Sequence, residues 1–307
     1  MRRPASASIK TYQPETFLQR FAPGTPEPNI LLTDKAEHFF IVRVEQMYRL
    51  FTQAIPPCRA TAHTCIFLTS GTARMSIGPE AVVIGALEVL IVPAGQVYSF
   101  APGDENTGFL CHFHPDLLLA PGSPAEGAAT FDFLQFWGRP VIQLTADTAG
   151  FVENLLQRLL LEYTTNTLHY PDILRAYLLA VLHELNRAYQ ASAPQRPSAA
   201  LLITNRFKQL LASPGAARQS VSGYAAQLHI TPNHLTKAVR TVTGQSPAKW
   251  LEQTLVLEAK VLLVQSALPI GDVAAAVGLP DASYFSRLFR KHTGLSPLAF
   301  RKGIEKS

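Results

Sequence analysis

YAAQLHITPNHLTKAVRTVTGQSPAKW (Tyr224–Trp250) and VAAAVGLPDASYFSRLFRKHTGLSPLAF (Val273–Phe300) align on one another with one inserted residue. Seven positions are identical: Ala225/Ala274, Ala226/Ala275, Arg240/Arg290, Thr243/Thr293, Gly244/Gly294, Ser246/Ser296 and Pro247/Pro297. Core positions match in kind, as in Leu228/Val277, Ile230/Leu279, Leu235/Phe285, Val239/Phe289 and Trp250/Phe300. A shared core and shared caps read as one structural unit used twice. Small residues sit where two crossing helices approach, and Gly278 or His229 takes a left-handed turn position. Thr231-Pro232 then opens a second helix, with Thr as N-cap and Pro at the first helical position. The pattern is that of a helix-turn-helix, over 222–243 and again over 272–293.

On a helical wheel, Leu235, Ala238, Val239 and Val242 point inward in the first copy, and Phe285, Leu288 and Phe289 in the second. The outward face of the first copy carries Asn233, Thr236, Lys237, Arg240 and Thr241. That of the second carries Ser283, Tyr284, Ser286, Arg287, Arg290 and Lys291. A solvated helix face ordinarily mixes both signs of charge. These two faces carry cations and hydrogen-bonding groups without a carboxylate, which suits phosphates and base edges. Their placement assigns Lys237 and Arg287 to bases and Arg240, Arg290 and Lys291 to phosphates. Between the copies, residues 248–266 read as one helix of about 19 residues, or roughly 28 Å. Successive major grooves lie roughly 34 Å apart, so such a connector brings both recognition helices near adjacent grooves.

Charge follows the same division. Residues 201–307 hold 13 Lys/Arg against 5 Asp/Glu, whereas the rest of the 307-residue chain holds 14 against 17. A basic domain beside a slightly acidic one points to a polyanionic partner. The three cysteines, Cys58, Cys65 and Cys111, have no metal-like spacing and read as reduced thiols. No signal-peptide run follows the N-terminal arginines, and no stretch reaches the roughly 18 apolar residues of a membrane span. A cytoplasmic location, with no membrane partner, is the expectation.

The first two thirds read differently. Five prolines in residues 1–29 describe an extended arm. Residues 30–118 break into short apolar runs bounded by Gly and Pro, among them HFFIVRVEQMYRLF, TCIFLTSG, AVVIGALEVLIVPAG and GFLCHFH, as in an antiparallel sandwich or barrel. Residues 119–190 hold a Pro/Gly-rich loop and then two helical patterns, with apolar stripes over 151–160 and 173–185. Those stripes cap the core, and they also offer a dimer interface. Residues 191–200 are a linker to the C-terminal domain at 201–307.

The C-terminal part resembles the AraC/XylS family of bacterial transcription regulators, over about Phe207–Lys302. GLPDASYFSRLFRKHTGLSPLAFR (Gly278–Arg301) is the stretch closest to that family's pattern. Leu279, Pro280 and, on the connecting helix, Thr254 depart from it. GALEVLIVPAGQVYSF (85–100) is similar to the second motif of the cupin-type sensors in the same family. The fold class expected is therefore α+β multidomain: an N-terminal cupin-like β-barrel with a helical pair, and an all-α double helix-turn-helix domain.

The resemblance implies a DNA-binding transcription regulator acting as a dimer on double-stranded DNA. It also implies a small-molecule effector in the barrel and, for an activator, RNA polymerase as a further partner. Tyr98 stands where metal-binding cupins place a His, and His63 stands alone in its motif. No metal or cofactor is expected, and His63 and Tyr98 are the candidates for an effector pocket. His112 and His114, two apart on one strand, share a face. A cupin enzyme with a DNA-binding tail and an architectural DNA binder with a vestigial barrel remain as rival readings.

Overall fold

A computed structural model describes residues 38–50, 54–101, 103–119, 131–135, 138–166, 169–192, 197–212 and 219–305. The expected arm at 1–29 and the Pro/Gly-rich stretch at 120–127 lie outside the described residues. The chain divides into two compact units, one built mainly from residues up to 197, the other mainly from residue 198 onward.

The N-terminal unit starts with strand β1 (Phe39–Arg43) and helix α1 (Val44–Leu50). Strands follow at β2 (Ile55–Arg59), β3 (His63–Gly71), β4 (Ala73–Ile77), β5 (Glu80–Ile84), β6 (Glu88–Val92), β7 (Val97–Phe100) and β8 (Asn106–Phe113), and later β9 (Val141–Gln143). They form two sheets among the described residues, of order β1-β8-β3-β6-β9 and β2-β7-β4-β5. The antiparallel sandwich alternative is thus the one seen: among the described residues the expected cupin-like barrel does not close. The apolar run HFFIVRVEQMYRLF, read as strand-length, is strand only to Arg43 and turns helical at Val44. The two prolines in β2 account for its edge position, since each lacks the N–H that a central strand would donate.

Pleating sorts the side chains of the five-stranded sheet into two layers. Phe39, Ile41, Cys65, Phe67, Val89, Ile91, Phe109, Cys111 and Phe113 join one core, and Ile66, Leu68, Leu90 and Val92 join another with Ile77 and Ile84 of the smaller sheet. Helices α2 (Ala146–Asn166) and α3 (Pro171–Ala191) cover the first layer. Val152, Leu156 and Leu159 of α2 and Leu174, Leu178, Val181, Leu182 and Leu185 of α3 are all buried in it. The apolar stripes are thus used mainly within the fold, and what remains exposed is Phe151, Leu161, Tyr170 and Ile173. At Gly108, beside an irregularity in the β3–β8 register, a Cβ would lie 2.0 Å from the Phe67 carbonyl oxygen, so only glycine fits there.

The C-terminal unit is helical: α4 (Ala199–Ala212), α5 (Val221–Gln227), α6 (Pro232–Thr243), α7 (Pro247–Gln265), α8 (Ile270–Ala276), α9 (Ala282–Thr293) and α10 (Pro297–Glu305). It has two cores, matching the two copies. One gathers Phe207, Leu211, Tyr224, Ala225, Leu235, Val239 and Trp250. The other gathers Val273, Ala274, Phe285, Leu288 and Phe289 with Leu255, Val256, Ala259, Leu262 and Leu263 of α7. Helix α7 therefore serves both cores, Trp250 in the first and its later turns in the second. Among the described residues no helix is long and apolar enough to cross a membrane.

Candidate nucleic-acid interface

Each copy is held by local capping. In the first, Ser220 Oγ accepts from the Gly223 N–H (3.2 Å) at the start of α5, and Thr231 Oγ1 accepts from the His234 N–H (3.2 Å) at the start of α6. Between them His229 adopts a positive φ of 56°, while the Ile230 N–H donates to the Ala225 carbonyl (3.0 Å). In the second copy Gly278 takes the equivalent position at φ 90°, and the Leu279 N–H donates to the Ala274 carbonyl (2.8 Å). Asp272 lies in the first turn of α8, whose N-cap is Pro269. Asp281 caps α9, its Oδ1 accepting from the Ser283 (2.8 Å) and Tyr284 (3.0 Å) N–H groups. Those two backbone bonds, with Arg287 adding a smaller effect, hold the Asp281 carboxyl below its usual range. Gly244 and Gly294 end α6 and α9 in the left-handed region, at φ 70° and 76°.

His229 is a residue with a Cβ in a conformation that glycine adopts freely. His229→Gly is therefore expected to leave stability unchanged or raise it by up to about 1 kcal/mol, where an ordinary surface His→Gly change would lower it. Denaturant midpoints of the two chains check this.

Burial along α6 and α9 is the same position by position from Asn233 to Arg240 and from Ser283 to Arg290. Leu235, Ala238 and Val239 are buried in α6, as are Phe285, Leu288 and Phe289 in α9. Asn233, Lys237 and Arg240 are exposed, as are Ser283, Tyr284, Arg287, Arg290 and Lys291, while Thr236 and Ser286 are half-buried. Val242, expected to face inward, is exposed. Two hydroxyls on these faces are engaged locally: Ser286 Oγ donates to the Ala282 carbonyl (2.8 Å) and Thr241 Oγ1 to that of Lys237 (2.8 Å). Lys291 has a partner that its sequence context did not suggest. Its Nζ lies 2.9 Å from Glu252 Oε2 on α7, and His292 Nε2 lies 2.9 Å from the same oxygen. Lys291 first, then His292, lowers the Glu252 carboxyl pKa. The only sequence signal for this bridge is an acidic residue on a connector beside a basic helix end. Thr254 lies half-buried on α7.

The effector candidates of the N-terminal unit fall on different layers. His63 is in register with Phe113, on the face that carries Cys65 and Phe67, and its ring centroid is 5.4 Å from that of Phe113. Its Nδ1 accepts from the Ala94 N–H (3.1 Å). Tyr98 packs instead in the core between the two sheets. The pleat thus keeps the two apart. His112, not chosen from the sequence, sits on the inter-sheet face of β8, its Nδ1 sharing a hydrogen bond with Thr64 Oγ1 (3.0 Å). His112 Nε2 is buried and has no hydrogen-bond partner among the described residues. His114 follows the end of β8, its ring tilted against that of His38 with centroids 5.6 Å apart and its Nδ1 accepting from the Asp116 N–H (3.3 Å). Among the described residues no group of three or more His, Cys, Asp or Glu could hold a metal ion.

A family model described as a helix-turn-helix domain matches residues 224–303. The arabinose operon regulatory protein of Escherichia coli (strain K12) is 38% identical over 85 residues, 28% of this chain and 29% of that protein. The uncharacterized HTH-type transcriptional regulator YisR of Bacillus subtilis (strain 168) is 28% identical over 147 residues, 48% of this chain and 50% of its own. The chain thus matches half or less of the length of these relatives. A structure of ToxT from Vibrio cholerae superposes over 87% of this chain and 98% of that one, at a TM-score of 0.41 and 10% identity. Residues 224–303 are a helix-turn-helix domain, and over that region the chain is similar to the arabinose operon regulatory protein and to other transcription regulators of the helix-turn-helix type.

Proposed function

We propose that this chain regulates transcription by binding a specific DNA sequence through α6 and α9, as a homodimer, under the control of a small molecule held in the N-terminal unit. The observation that carries the reading is the matched pair of outward faces. Lys237 and Arg287 occupy one place in the repeat, Arg240 and Arg290 another, and all four are exposed. The names of the arabinose operon regulatory proteins support a role at an operon's promoter. For an activator, RNA polymerase is the further partner. The exposed Phe151, Leu161, Tyr170 and Ile173 on and between α2 and α3 support self-association. The inter-sheet layer, with Tyr98 and the unpartnered His112 Nε2, supports a ligand that offers a hydrogen-bonding group.

The test separates base reading from phosphate holding. An Arg in the middle of a recognition helix donates to guanine O6 and N7, which is worth about 1–3 kcal/mol of discrimination. Arg287→Ala is therefore expected to weaken binding to a selected site by about 5- to 150-fold and binding to random DNA much less. Arg290→Ala is expected to weaken both alike and to flatten the salt dependence by about one unit, since a phosphate contact releases roughly 0.9 counterion. Titrations of both variants on both DNAs check this, and the same titrations give the number of chains bound per site. Equal losses for Arg287→Ala on the two DNAs would remove α9 from the major groove.

A further inference from the structure

We propose that Glu252 is a positioning residue for bipartite DNA recognition, tying the last turn of α9 to the start of α7 and so fixing the second recognition helix relative to the first. The inference rests on the DNA-binding reading above. The first copy is joined to α7 from within: the Trp250 indole N–H donates to Thr243 Oγ1 (3.1 Å), and Thr243 Oγ1 donates to the Val239 carbonyl (2.7 Å). Trp250 and Leu251 belong to the first core. Glu252, the next residue, thus stands on the part of α7 that moves with the first helix-turn-helix.

In the second copy Phe300 replaces Trp250 and its ring has no N–H to donate, so the indole bond has no side-chain counterpart. Instead Lys291 and His292, the last residues before Thr293 in α9, both reach Glu252 Oε2 at 2.9 Å. Their counterparts in the first copy, Thr241 and Val242, carry no charge. The clamp is therefore built once, and it crosses from one helix-turn-helix to the other. His292 and Glu252 are both largely covered, with side-chain exposures of 15% and 32%.

A connector of about 19 residues falls short of the roughly 34 Å between successive grooves, so the angle between the two units decides which spacing of half-sites they fit. A two-donor clamp on one carboxylate oxygen fixes that angle. It also gives Lys291 a different role from that of Arg290: its ammonium sets helix orientation and is not primarily a phosphate ligand.

The experiment uses the full-length chain and a duplex that it selects from a random-sequence pool. Two derived duplexes are added, one with a base pair inserted between the half-sites and one with a single half-site. Glu252→Gln removes the charge without changing size. It is expected to weaken binding to the parent duplex by about three- to fivefold, the scale of a partly exposed ion pair. Binding to the single half-site should not change. The ratio of affinities for the parent and lengthened duplexes should narrow. Lys291→Met should reproduce the narrowed ratio; an equal loss on all three duplexes with a salt slope flatter by about 0.9 would make it a phosphate ligand and overturn its share of the proposal. An unchanged spacing ratio in Glu252→Gln, whatever its affinity, overturns the role of Glu252. A wild-type chain that selects no duplex overturns the proposed DNA binding, and this inference with it.

Discussion

Acidification from pH 8 to pH 4 is expected to destabilise the N-terminal unit by roughly 3–6 kcal/mol, through His63 and His112. Burial, and then the neighbouring His112 and His114, push the His63 pKa down to about 4. Burial, and then His114, push that of His112 to about 4 as well. The hydrogen bonding of His63 agrees, because its Nδ1 accepts from the Ala94 N–H and an imidazolium has no nitrogen free to accept. In the unfolded chain both rings titrate near 6.5. The folded state binds fewer protons, so its stabilisation is complete above about pH 6.5 and is lost as the pH falls toward 4. A depression of this size corresponds to about 3 kcal/mol per ring, and the mutual repulsion that the rings share keeps the total below a simple doubling. The cluster sits where β3 starts and β8 ends, with His38 and Asp116 beside His114, so loosening should begin there. Urea midpoints of the N-terminal unit, read by pulse proteolysis at several pH values, check the effect. His112→Gln, which cannot charge, should flatten the profile. A midpoint that stays constant between pH 7 and 4.5 would contradict the burial of both rings in the neutral form.

Phe285→Ala is expected to cost about 3–5 kcal/mol in the C-terminal unit. Phe285 is 0% exposed and packs against Phe289 with ring centroids 5.8 Å apart, in the core that α7, α8 and α9 share. Truncation removes the ring's transfer free energy and leaves a cavity that helices pinned at both ends cannot close. Domains of this size have a total stability of about 5–15 kcal/mol, so most of the margin goes. Binding to a two-half-site duplex should fall with it, since α9 is no longer held. Tyr284→Ala, one residue earlier on the same helix at 44% exposure, should leave stability within about 0.5 kcal/mol. Far-UV circular dichroism against denaturant concentration compares the two. Equal midpoints would mean that the Phe285 site collapses without cost.

The repeat, its caps and the outward faces of α6 and α9 were legible in the sequence because their causes are local. A 3.6-residue period, a Ser or Thr N-cap and a left-handed Gly act over one or two turns. The same burial pattern therefore recurs from Asn233 to Arg240 and from Ser283 to Arg290, as the wheel requires. The connecting helix, read at 248–266, runs Pro247–Gln265 for the same reason. Val242 departs from this at the helix end, where the periodic stripe leaves the core.

What only the tertiary structure decided depends on residues far apart in the chain. HFFIVRVEQMYRLF is apolar enough for a strand throughout, yet only Phe39–Arg43 finds a partner in β8, and the backbone turns helical beyond it. Apolar runs of strand length say nothing of whether a sheet closes on itself, and here two separate sheets form and share a core. The stripes of α2 and α3 serve equally to cover a sheet or to meet a second chain, and the sheet takes most of them. One step along a strand reverses the face of a side chain, so register alone placed His63 and Tyr98 in separate layers and turned His112 toward the inter-sheet core. Lys291 and Glu252 are 39 residues apart, and no periodicity connects them. Local rules determined the outward faces of α6 and α9, the surface proposed to meet DNA, whereas the pairing of distant strands and helices determined what lies behind them and how firmly the two helix-turn-helix copies are held.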